Sequence, residues 1–180
     1  MAAGRQFRTH MWARARASRA EAKLPLALHR ARLARARELG LSYADYSAIR
    51  ASAGRDIAAY LISSNALGVY AIAGRAGGGA GAEAELVSER LMSLRHVRRI
   101  GLAHPPLTPA ALMERVAGLD LAFAAPPLLG SWAEIRAALA RAQGRLPAAG
   151  LVAITALGLE RDWVAAGGLG GSLPAEALFG

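Results

Sequence analysis

The sequence predicts an α/β fold: a small, mostly parallel sheet with flanking helices, preceded by a basic helical N-terminal segment. Three observations carry that expectation. Short apolar runs of strand length alternate with capped segments of about 10–14 residues, the pattern of βαβ units. The chain has 180 residues, which suits one core of about 100–150 residues with an appendage. Charge is divided unevenly: residues 1–55 hold twelve Arg or Lys against Glu21, Glu38 and Asp45, whereas residues 56–180 carry ten of each sign.

Taken in order, residues 1–22 have no apolar pattern beyond Phe7, Met11 and Trp12 and read as a flexible basic arm. Pro25 can open a helix, Leu26 to Leu39, in which Leu26, Leu33, Ala36 and Leu39 share a stripe and Arg30, Arg32, Arg35 and Arg37 take the remainder. Gly40 ends it. Ser42 is placed to cap a second helix, Tyr43 to Ser52, which Gly54 stops. Residues 23–55 are thus a basic helical hairpin, and residues 56–180 a small α/β domain expected to fold by itself.

Within that domain, Ile57–Ile62 reads as a buried strand and Val69–Ala73 as a second. Ala82–Leu94 reads as a helix with Glu83 and Glu85 near its positive end. Arg99–His104 is strand-like and stopped by Pro105-Pro106; Thr108 can cap a helix from Pro109 to Ala117. Leu119–Ala124 is the next strand, again stopped by a Pro-Pro pair. Ser131 caps a helix through Ala142, Leu151–Thr155 is a strand, and Leu159–Ala166 a last short helix.

Without cysteine, the chain has no disulfide, thiolate metal site or cysteine nucleophile. Its longest apolar run, Leu151–Leu159, falls far short of the roughly 18–20 residues of a membrane span, so no transmembrane segment is expected. No motif specifies a cofactor or a metal, and none is assigned. A cytoplasmic location is the plain reading. An organellar one is the alternative, because the Arg-rich, acid-poor start also suits a transit peptide.

The run Ala36–Arg50, ARELGLSYADYSAIR, resembles a helix-turn-helix, with Ala36, Leu39, Gly40, Leu41, Tyr46 and Ile49 at the positions where that motif places its small, turn and core residues. Arg35 departs from the pattern, standing where a buried residue is usual. The resemblance implies a second helix in the major groove with Tyr43, Ala44, Ser47, Ala48 and Arg50 facing outward. Those side chains offer few bidentate donors, so phosphate contacts would dominate. The nucleic-acid-binding residues expected on this basis are Arg14, Arg16, Arg19, Arg30, Arg32, Arg35, Arg37, Tyr43, Ser47 and Arg50, and Trp12 among the arginines can stack on an unpaired base. The competing reading is an ordinary helical hairpin packed on the sheet.

Two further features bear on ligands. Gly79-Ala80-Gly81-Ala82-Glu83-Ala84 matches a G-x-G-x-x-A phosphate loop, but Glu83 and Glu85 would repel a phosphate there, and a surface loop is the simpler expectation. Ser64, Asn65, His104 and Thr155 fall at expected strand ends, together with Ser63, and form a candidate ligand pocket. His104 is the histidine best placed for a pocket; His10, His29 and His96 fall on the arm or on helices. No acid is set by sequence to orient it, Glu160 and Asp162 being the nearest that follow a strand end, so no catalytic residue is assigned.

The function expected from all this is that of a non-enzymatic nucleic-acid-associated protein. Its Arg-rich segment would contact phosphates of nucleic acid or another polyanion, while the α/β domain supports it or binds a ligand or protein partner. One alternative is a small α/β enzyme or ligand-binding protein with its site at the strand carboxyl ends. Another is an assembly component with a basic anchoring arm.

Overall fold

A computed structural model describes residues 25–72, 75–77 and 82–180. Five strands, β1 (Ala59–Ser63), β4 (Arg98–Ala103), β5 (Leu121–Ala124), β6 (Leu151–Thr155) and β7 (Gly171–Pro174), form one all-parallel sheet in the order β5-β4-β1-β6-β7. β1 and β6 are buried at every position, as central parallel strands covered on both faces must be. In the ladder, Leu61 lies opposite Ile100 of β4 and Ala153 of β6.

The two-residue period of a strand sorts the core into two layers. Tyr60, Ile62, Val152 and Ile154 face one side; Ala59, Leu61, Leu151 and Ala153 face the other. The first side is covered by α1 (Leu26–Glu38), α2 (Tyr43–Ala53), α3 (Ala82–Ser93), α4 (Pro109–Arg115) and α7 (Glu176–Phe179). The second is covered by α5 (Trp132–Gln143) and α6 (Asp162–Gly167). The sheet grows from β1 through β4 to β5 in one direction, then from β6 to β7 in the other. The reversal falls between β1 and β6, and in an open parallel sheet that switch point is where a crevice opens beyond the strand carboxyl ends.

Local chemistry places the helices much as expected. Ser42 Oγ accepts from the Asp45 N–H at 3.1 Å, and Gly54 ends α2 at φ +72°. Thr108 Oγ1 accepts from the Ala111 N–H with Pro109 behind it, and Ser131 and Glu134 form a reciprocal capping box on α5. Between α1 and α2 the corner is Gly40 at φ +68°. A Cβ there would lie 2.7 Å from Leu94 Cδ2, so both conformation and space require glycine.

Three segments differ from expectation. Val69–Ala73 was expected as a second strand in a mostly parallel arrangement; Tyr70–Ile72 (β2) is a strand, but it pairs antiparallel with Arg75–Gly77 (β3) in a separate hairpin. The expected helix from Leu159 to Ala166 is a 3₁₀ turn, Gly158–Arg161, followed by α6. β7 and α7 were not anticipated, because Gly170-Gly171-Ser172 lacks β-forming side chains and gains its strand pairing only from β6.

The hairpin of α1 and α2 shares the core of the sheet: Ala36, Leu39, Tyr46 and Ile49 are buried in the same cluster as Tyr60 and Ile62. The phenol of Tyr60 donates to the Leu39 carbonyl at 2.9 Å. Among the described residues no helix is long and apolar enough to cross a membrane.

Candidate functional site

Three strand ends meet at the switch point. β1 ends in Ser63, followed by Ser64 and Asn65; β4 is followed by His104; β6 is followed by Ala156 and Leu157 and then the 3₁₀ turn that carries Glu160. That turn folds Glu160 back beneath the strand ends, where it is fully buried. Its Oε1 accepts from the Ser63 hydroxyl, from Asn65 Nδ2 at 2.9 Å and from His104 Nε2 at 2.9 Å. Its Oε2 accepts from the backbone N–H groups of Ala156 at 2.8 Å and Leu157 at 3.0 Å.

Burial pushes the Glu160 carboxyl up, but the hydrogen bonds from His104, Ser63, Asn65 and the Leu157 N–H outweigh it and hold the group down at about 2. Glu160 is therefore a carboxylate at neutral pH. A carboxylate only accepts, so the proton of the His104 contact sits on Nε2, and in the neutral ring the lone pair left for a ligand is on Nδ1. The ring is fixed from other directions too. It stacks on Trp163 with centroids 5.7 Å apart, and its backbone N–H donates to Ser64 Oγ at 3.2 Å. Trp163 is itself fully buried, and its indole N–H has no partner among the described residues.

Beside this network opens a cavity of about 490 Å³. Asn65, Tyr70 and His104 supply its polar or amphipathic wall, and Pro105, Pro127, Leu128, Leu129 and Leu157 its apolar wall. Its size lies in the range of small-molecule sites, as does its character of an apolar lining with a few convergent polar groups.

Of the four pocket residues expected from the sequence, Asn65 and His104 do come together in this wall. Ser64 stands behind it as a positioning group for His104. Thr155 is buried and donates toward the Leu173 carbonyl of β7 at 3.5 Å, so it faces the sheet and not the cavity. The residue that sequence reasoning missed as a partner is Glu160. It was visible only as an acid following β6, and nothing in the linear chain shows that the 3₁₀ turn returns it to a histidine 56 positions away.

The nucleic-acid residues divide differently. Arg14, Arg16 and Arg19, with Trp12, lie outside the described residues, as does most of the glycine run around Gly79. Arg30 and Arg37 are exposed on α1. Arg32 is half-buried, its Nε without a partner among the described residues. Arg35 is committed: its guanidinium donates to Asp56 at 2.8 Å, Glu38 at 3.0 Å, and the carbonyls of Ile57 at 3.0 Å and His96 at 3.1 Å. Of the outward face expected on α2, only Ala44 is exposed. Ser47 and Ala48 are buried, Tyr43 is half-buried with its hydroxyl 3.0 Å from His29 Nδ1, and Arg50 lies 3.8 Å from Asp56. The cause is that α2 packs against both α1 and β7, and its small Ala and Ser side chains permit the close approach.

Among the described residues no group of three or more His, Asp or Glu side chains is arranged to hold a metal ion. No protein-family model, curated protein or solved structure matches the chain, and what the site can do rests on its own geometry.

Proposed function

We propose that this protein binds a small molecule in the cavity at the carboxyl ends of β1, β4 and β6, with His104 as the proton acceptor that meets it. The observation that carries this reading is the 2.9 Å contact between His104 Nε2 and the buried, ionised Glu160, at the sheet's switch point and in the wall of an open cavity. A carboxylate that orients an imidazole through one nitrogen leaves the other as a base of fixed direction, the arrangement that general-base chemistry requires. The Ser63 hydroxyl is spent on Glu160, and the reading assigns no covalent nucleophile. The test is ring-nitrogen NMR of His104 together with a ligand-observed NMR screen of a small-molecule library. In the neutral ring we expect the Nε2–H tautomer, and hits whose affinity falls at least about tenfold, some 1.4 kcal/mol, in a folded His104→Ala variant. Hits indifferent to that change, or an Nδ1–H tautomer, overturn the reading.

The excess of nine positive charges in residues 1–55 favours a second reading, contact with a nucleic acid or another polyanion through that segment. On the described part it rests on Arg30 and Arg37, the arginines of α1 that are exposed. Binding of labelled duplex DNA and RNA should fall with added salt, by nearly one unit of log–log slope for each phosphate contact. Replacing Arg30 and Arg37 by Ala should flatten that slope by up to about two units. A slope unchanged by the double replacement removes α1 from the contact.

A further inference from the structure

We infer that the cavity takes an uncharged or cationic small molecule with an apolar body and a hydrogen-bond-donating head, an alcohol or an amine, and discriminates against anions. The inference deepens the reading of the cavity as a ligand site and rests on it. Three observations fix the class. First, the wall is largely apolar: Pro105, Pro127, Leu128 and Leu157 can cover a hydrocarbon or aromatic body, and Leu129, 89% exposed, stands at its rim. Second, acceptors stand at the head of the cavity when the His104 ring is neutral, beside two donors, the other Nδ2 hydrogen of Asn65 and the Tyr70 hydroxyl. His104 has committed Nε2 and Asn65 one of its Nδ2 hydrogens to Glu160, leaving His104 Nδ1 and Asn65 Oδ1, which want a donor. Third, the nearest full charge is negative. Glu160 sits directly behind His104 and Asn65, and no Arg or Lys is among the described residues that line the cavity. A carboxylate or phosphate placed against those acceptors would meet two lone pairs and a like charge in a partly desolvated site, whereas a hydroxyl can donate to one of them and an ammonium to both.

The proton path follows from the same geometry. An alcohol or amine donates its O–H or N–H to Nδ1. If the proton transfers, it stays on His104 while the electron pair remains on the ligand oxygen or nitrogen, and the resulting imidazolium is held by the Glu160 carboxylate through Nε2–H.

The test uses three probes of matched shape, benzyl alcohol, benzylamine and benzoate, titrated into the full chain by amide-resolved NMR. The alcohol and the amine should shift the signals of Asn65, His104 and Leu157, with benzoate at least about tenfold weaker, the ratio that corresponds to about 1.4 kcal/mol. A cation at the wall should reverse the discrimination. In Leu157→Lys, at a position 40% exposed, benzoate should gain several-fold while benzylamine loses. If benzoate binds these residues as tightly as the alcohol and amine, the class is wrong and the site stands. If none of the three perturbs them, the reading of the cavity as a ligand site falls, and this inference with it.

Discussion

Glu160 does two jobs at one position, aiming His104 and joining three strand ends, and its removal is correspondingly severe. Replacement by Ala leaves the Ser63 hydroxyl, the Asn65 amide, the His104 ring N–H and two backbone N–H groups without their acceptor in a buried place. The expected cost is about 3–5 kcal/mol, a fall of roughly 10 °C in Tm for a chain of this size. The carboxyl also writes a pH signature. Its folded value, about 2, lies below the ordinary 4.5. Its contribution is therefore complete above pH 4.5 and is lost as pH falls toward 2, the direction expected when the unfolded chain binds the proton more readily. Thermal melts of wild type and Glu160→Gln from pH 6 to 2 should converge in acid. Parallel curves would show that the carboxylate is not the titrating group that holds the loops.

At the scale of elements, the α1–α2 hairpin shows why a local pattern does not settle a role. Its corner is a plain helical hairpin packed on the sheet: Gly40 at φ +68°, Ser42 capping the second helix, Leu39 and Ile49 buried. Arg35, the departure from the helix-turn-helix pattern, has a structural task. Where that motif buries an apolar side chain, this chain has a guanidinium that ties α1 to Asp56 and to the carbonyls of Ile57 and His96, at the two edges where β1 and β4 begin. Arg35→Ala should cost about 2 kcal/mol and lower Tm by roughly 4–8 °C, because Asp56 Oδ2 and two carbonyls lose their guanidinium donor together, while Asp56 Oδ1 keeps the Tyr46 hydroxyl. Arg30→Ala and Arg37→Ala, on the exposed side, should leave Tm within about 1 °C, since surface substitutions of this kind move stability little. Calorimetry on the three variants separates the clamp from the charged face, and equal melts for all of them would deny Arg35 its structural role.

For the whole molecule, the hairpin is a layer of the core. A chain beginning at Asp56 loses Ala36, Leu39, Leu41, Tyr46 and Ile49, which cover Tyr60, Ile62, Val152 and Ile154. At about 1.5–3 kcal/mol for each large buried side chain, that loss is on the order of 10 kcal/mol, comparable with the entire stability of a domain. The sequence reading expected residues 56–180 to fold alone; the packing predicts that a chain from Asp56 shows no cooperative melt, whereas one from Pro25 keeps the described core and melts cooperatively. A cooperative melt from the Asp56 chain would show that the hairpin is dispensable. What the sequence determined by itself is whatever nearest neighbours decide: the α/β class, the apolar runs of β1 and β6, and the caps at Ser42, Thr108 and Ser131, each a matter of a few consecutive residues. Strand β7, the separate β2–β3 hairpin and the burial of Ser47 depended on which elements lie side by side, which no short window contains. The site lies at the far end of that scale. Ser63, His104 and Glu160 are separated by up to 97 positions, and only the parallel stacking of β1, β4 and β6, which delivers all three carboxyl ends to one edge of the sheet, brings a buried carboxylate under an imidazole.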